Sequence, residues 1–149
     1  MIKIKIYDTK QDKVVTVEKI IKSDAEWKKL LTNEQYEITT KKRTEFPGSC
    51  VFDGIHEPGI FRCIRCSTDL FRHSAKFESG TGWPSYYEPV SPLNVIEQPD
   101  TSLGMMRTEV LCARCSSHLG HVFNDGPPPT GKRYCMNGAA LTFIPGDKL

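Results

Sequence analysis

Cys63-Ile64-Arg65-Cys66 and, after 45 intervening residues, Cys112-Ala113-Arg114-Cys115 are the segments whose reading decides the fold. In a C-x-x-C pair the two-residue spacer lets both thiolates face into one turn, and two such pairs supply four sulfurs to a closed tetrahedral site. That donor set favours one structural zinc ion, which ties the hairpin near Cys63 to the hairpin near Cys112 and keeps no position open for catalysis. The same ligands also accept iron, and each pair read alone is a redox dithiol of the thioredoxin kind. The dithiol reading wants a following helix in a βαβ context, which the sequence does not offer.

Composition agrees with a small β protein. The chain has 149 residues, 38% hydrophobic and 26% charged, with 11 glycines and 10 prolines, which describes one turn-rich folded unit without low-complexity bias. A formal net charge of +2 gives no strong pull toward nucleic acid or an anionic membrane. No apolar run approaches the roughly 20 residues of a membrane span, and Met1 to Ile6 alternates with lysine instead of forming a signal segment. The expectation is a cytoplasmic monomer, where paired cysteines bind metal more readily than they form structural disulfides.

Ile2, Ile4 and Ile6 alternate with Lys3 and Lys5, and Val14 to Val17 follows a polar turn, so residues 1–22 read as a β-hairpin extension and 23–149 as the main domain. Ser23-Asp24-Ala25-Glu26 is a capping box, after which Trp27, Leu30 and Leu31 fall on one face of a helix from about Asp24 to Leu31. Asn33 to Tyr36 adds another helical turn, and the charges Lys41, Lys42 and Arg43 in the polar run 38–43 read as a solvated face. Ile60 to Arg62, Thr68 to Phe71, Gly104 to Leu111 and Ala139 to Ile144 are the strand candidates, while Ser91 to Thr101, with its prolines, reads as an irregular connection or an edge.

Cys50 and Cys135 remain once four cysteines go to metal. Arg133 precedes Cys135 by two residues and Asn137 follows by two, which in a strand places all three on one face. A guanidinium beside a thiol favours the nucleophilic thiolate, and an imidazole from His118 or His121, presented from a turn, can hold a proton for transfer. Each residue also has a plainer account: an inert buried thiol, histidines satisfied in the core, and Trp83 as packing.

The segments Cys63-x-x-Cys66, Lys76-Phe77-x-Ser79-Gly80-x-Gly82-Trp83-Pro84-Ser85, Cys112-x-x-Cys115, His118-Leu119-Gly120-His121-Val122-Phe123-x-Asp125-Gly126-Pro127 and Arg133-Tyr134-Cys135-x-Asn137 together resemble the methionine-R-sulfoxide reductase B family, in its order and spacing. The resemblance runs from about Ser23 to about Pro145. It implies a mainly β fold of two small antiparallel sheets, an Mss4-like β-tent with a short N-terminal helix and a four-cysteine zinc site opposite the active site. It also implies thiol-dependent, stereospecific reduction of methionine-R-sulfoxide in oxidised proteins or peptides, recycled by thioredoxin or another dithiol. Cys135 is then the nucleophile that becomes a sulfenic acid, Trp83 meets the sulfoxide methyl, and His118, His121, Asn137 and Arg133 organise protons around the oxygen. Many members carry a resolving cysteine where this chain has Thr81, so Cys50, following the Pro47-Gly48 turn, is the expected resolving thiol. The competing classes are a non-enzymatic Mss4-like zinc module, which has no need of a thiol flanked like Cys135, and a nucleic-acid-binding zinc ribbon, which the near-neutral charge disfavours.

Overall fold

Isoleucines alternating with lysines make β1 (Lys3–Asp8) a strand, and it turns back onto β2 (Lys13–Glu18) as an antiparallel hairpin with Ile6 opposite Val15. The computed structural model describes residues 2–46 and 57–146, so Cys50 and the Pro47-Gly48 turn lie outside the described residues.

The capping box at Ser23 is present: Ser23 Oγ accepts the Glu26 N–H at 3.2 Å, and the Glu26 carboxylate accepts the Ser23 N–H at 3.0 Å, starting α1 (Asp24–Leu30). Trp27 is buried, but Leu30 is 65% exposed instead of sharing its face, because the helix ends there and Leu31 takes the inward position. A second box pairs Thr32 with Gln35 and starts α2 (Asn33–Lys41). This helix runs on past the one turn expected over Asn33 to Tyr36. Its inward face is Tyr36, Ile38 and Thr39, and it stops at Lys42 in the left-handed region.

The rest is two antiparallel sheets, as the family resemblance implied. One holds β3 (Gly59–Cys63), β4 (Asp69–Arg72) and β11 (Leu141–Pro145) in the order β11-β3-β4. The other holds β5 (Lys76–Phe77), β6 (Ser85–Tyr86), β7 (Val95–Asp100), β8 (Arg107–Cys112), β9 (His118–Phe123) and β10 (Arg133–Met136) in the order β5-β6-β10-β9-β8-β7. The segment expected as irregular or edge chain thus carries β7, paired along its length with β8. Pro99 is tolerated there because an edge strand can spare an N–H. Gly104 and Ala139 fall in short 3-10 turns just before β8 and β11.

Aromatic rings close the two sheets on each other. Phe71 of β4 stacks on Tyr86 of β6 with centroids 4.3 Å apart, and Phe61 of β3 meets the same ring edge-on at 5.2 Å. Such pairs add about 0.5–1.5 kcal/mol beyond the area they bury. Among the described residues no helix is long and apolar enough to cross a membrane.

Candidate active site and metal centre

β3 and β8 end alike. The Cys63 N–H donates to Thr68 O and the Ser67 N–H to Cys63 O, at 2.9 and 2.8 Å; Cys112 with Ser117 and Ser116 with Cys112 repeat both bonds at the same lengths. Ser67 and Ser116, each just after the second cysteine, take φ of 63° and 62°, the left-handed conformation that closes the turn and sends the chain back beside the strand it left. The four Sγ atoms lie within 4.8 Å of one another, with Cys63–Cys115 and Cys66–Cys112 at 3.6 Å. A tetrahedral ion with bonds of about 2.3 Å separates its sulfurs by about 3.8 Å, so the residues fit a metal ion. Arg65 anchors the helices to this turn: its guanidinium carbon lies 3.9 Å from the Trp27 ring centroid, and it donates to Cys115 O at 3.2 Å.

None of these cysteines lines the candidate active site, a cavity of about 210 Å³ whose wall includes Thr81, Trp83, His121, Arg133, Cys135 and Asn137. β10 lies between β6 and β9, so Cys135 faces Ser85 on one side and His121 on the other, and Arg133 falls on the same face as Cys135. Burial pushes the Cys135 thiol above its ordinary value, and this outweighs the opposing pull of the Arg133 guanidinium and the Thr81 hydroxyl. The expected thiolate-favouring effect of Arg133 is therefore present but does not prevail. The Arg133 guanidinium is shared with Asp125, to which Nε and an Nη donate at 2.9 and 3.2 Å, and it stacks 4.5 Å from the Phe123 centroid.

His118 and His121 come from a strand, not from a turn. An odd separation puts residues of a regular strand on opposite faces, but a bulge in the β8–β9 pairing (Val110 opposite Gly120, Leu111 opposite His118) resets the alternation. The two rings meet edge to face at 5.5 Å. Only His121 reaches the cavity wall; His118 sits behind it, facing Trp27 and Arg65. Each ring is held by a carboxylate at 2.7 Å, His118 Nδ1 by Glu109 and His121 Nε2 by Asp100. Burial lowers the His118 pKa, so this ring is neutral at pH 7. Burial raises the Glu109 carboxyl, but hydrogen bonds from Gln98, His118 and Lys42 outweigh it and hold it ionised. The bond to His121, then those to Ser102, hold Asp100 far below the usual carboxylate range.

Trp83 donates Nε1–H to Glu45 O at 2.9 Å, which fixes its indole on the wall. Asn137 Oδ1 accepts the Glu45 N–H at 3.1 Å, and Nδ2 donates to Leu119 O at 3.2 Å, so most of this amide braces the wall. Glu45 itself caps the following turn, accepting from the Gly138 and Ala139 N–H groups at 2.8 and 3.0 Å. The sequence reading missed Glu45, Asp100 and Glu109. Glu109 follows the polar pair Arg107-Thr108, so nothing local marked it as the buried charge that needs a partner. Asp100 lay in the segment read as irregular or edge, Glu45 between the polar run 38–43 and the Pro47-Gly48 turn, and no local pattern marked either.

The chain matches the SelR domain over residues 31–145. It is 55% identical over 126 residues to a protein of Herminiimonas arsenicoxydans, spanning 85% of this chain and 92% of that protein. Over 131 residues it is 50% identical to a protein of Agrobacterium fabrum, spanning 88% and 97% respectively. Over 122 residues it is 53% identical to a protein of the archaeon Methanosarcina barkeri, spanning 82% and 86%. All three bear the name peptide methionine sulfoxide reductase MsrB.

Proposed function

This chain belongs to the SelR-domain family of MsrB methionine sulfoxide reductases, and from that membership we propose that it repairs oxidised proteins by reducing methionine-R-sulfoxide, peptidyl or free, to methionine. The observation that carries the reading is the cavity in which Cys135 faces His121 across two paired strands with Trp83 on the same wall. Cys135 Sγ attacks the sulfoxide sulfur and takes up its oxygen. Methionine leaves, and Cys135 becomes a sulfenic acid, so one sulfur is oxidised by two electrons as the other is reduced by two. His121 serves the proton traffic and Trp83 packs the methyl group. Arg133 and the second amide hydrogen of Asn137, which has no partner among the described residues, steady the developing oxyanion, and neutral His118 supports His121 from behind.

With Thr81 beside Cys135, a thiol must come from elsewhere to attack the sulfenic sulfur and release water. Cys50 is the proposed resolving thiol, and thioredoxin or another dithiol then exchanges the resulting disulfide. The four-cysteine centre takes one structural zinc, which supplies folding energy and no chemical step. The protein works as a monomer in the cytoplasm, where such dithiols are kept reduced.

The test is turnover of R- and S-epimers of a methionine sulfoxide peptide with dithiothreitol, wild type against Cys135→Ser. Turnover of the R epimer alone, lost in the variant, supports the reading; equal turnover of both epimers, or activity surviving in Cys135→Ser, sinks it. Cys50→Ser, with metal retained, should stop forming one intramolecular disulfide per turnover, and elemental analysis should find one zinc per chain.

A further inference from the structure

Asp100 is the last residue of the edge strand β7, and its carboxylate does two separate things. Oδ1 accepts the Ser102 N–H at 2.9 Å, which locks the chain as it leaves the strand, and Oδ2 meets His121 Nε2 at 2.7 Å. Arg107, opposite Asp100 on β8, approaches the same Oδ2 at 3.5 Å and also lines the active-site cavity. The remaining charged or titratable groups around His121 are Glu109 on β8, His118 on its own strand, and Arg133 and Cys135 on β10, and among the described residues none is hydrogen bonded to its ring.

From this geometry we infer that Asp100 is a positioning residue for the sulfoxide reduction: it fixes His121 with the proton on Nε2, leaving Nδ1 to take the Cys135 thiol proton and pass it to the sulfoxide oxygen. A carboxylate bound to one ring nitrogen decides which tautomer the imidazole adopts and favours the imidazolium formed in mid-reaction. Cys135 and His121 are direct cross-strand partners, which brings their Cβ atoms to about 4.5–5.5 Å on a shared face. The line Asp100, His121, Cys135 thus crosses three strands, β7, β9 and β10, with the strand between β7 and β9 contributing the charge of Arg107. A thiol kept protonated by burial needs such an acceptor at the moment of attack.

The inference rests on the reductase reading, and the experiment separates the two. Asp100→Asn keeps the acceptor for Ser102, so the variant should still unfold in one cooperative transition, at a somewhat lower temperature because the charge facing His121 and Arg107 is gone. Nitrogen-15 NMR of the His121 ring should find Nε2–H in wild type and a mixture or the other tautomer in the variant. The R-epimer kcat/KM should fall on the order of 10²–10⁴-fold, with an altered pH profile, while iodoacetamide still alkylates Cys135. An unchanged tautomer with an unchanged pH profile overturns the role of Asp100 and leaves the reductase reading intact. If wild type reduces neither epimer, the reductase reading falls, and the inferred proton path falls with it.

Discussion

Gly120 lies so close against Cys135 that a Cβ built on it would sit 2.1 Å from the Cys135 carbonyl oxygen and 2.9 Å from Met136 Cα. These are backbone atoms held in the β9–β10 pairing, so they cannot rotate aside. Gly120→Ala is expected to force the strands apart, costing about 1–3 kcal/mol and moving Cys135 out of register with His121. Urea unfolding reads the first effect and R-epimer turnover the second; wild-type values in both would mean that the contact does not constrain the strands.

The raised pKa of Cys135 makes a prediction with a definite sign. The thiol form dominates at pH 7, so alkylation of Cys135 by iodoacetamide, followed in a Cys50→Ser background, should climb roughly tenfold per pH unit until the thiol titrates. Arg133 pulls that titration down. Arg133→Ala should therefore react more slowly at every pH below it, with Arg133→Lys between the two. A rate already level at pH 7 would show that burial does not govern this thiol.

Glu45 should matter for stability out of proportion to its place in an irregular segment. Its carboxylate satisfies the Gly138 and Ala139 N–H groups, and its main chain holds both Asn137 and Trp83. Glu45→Ala leaves one buried and one half-buried donor unpaired, and a loss of about 2–4 kcal/mol in chemical denaturation is expected. Glu45→Gln retains one acceptor and should lose less.

The elements legible in the sequence were those with a local cause. Alternation at Ile2, Ile4 and Ile6, the Ser23–Glu26 box and the two cysteine pairs each announce themselves within a few residues. The extent of α2 was hidden because its buried face is only Tyr36, Ile38 and Thr39 amid charge, although Thr32 and Gln35 spelled a second box. β7 was hidden by Pro99, which only an edge position excuses. The separate placements of His118 and His121 depend on a bulge, which is set by pairing with the neighbouring strand β8 and has no signature of its own. The carboxylates that hold these rings come from two further strands, and such partnerships exist only once the sheet is assembled.

Asp69 joins the N-terminal hairpin to the turn that carries Cys63 and Cys66. Its Oδ2 accepts both the N–H and the hydroxyl of Thr9, at 3.0 and 2.8 Å, and its Oδ1 accepts Arg62 Nε–H at 2.6 Å. Asp69→Ala strands a half-buried guanidinium and a buried hydroxyl, at a cost of about 3 kcal/mol. Hydrogen exchange should then show β1 and β2 amides opening before the rest, which a uniform loss of protection would contradict.

β10 is hydrogen bonded to β6 on one side and β9 on the other, an interior strand with no slack. A residue there is like a fixed station: it cannot be carried to meet anything without tearing two ladders. In the proposed cycle the methionine sulfoxide and the external reductant have to come to Cys135, so the pace of recycling belongs to what approaches it and not to the strand that presents it.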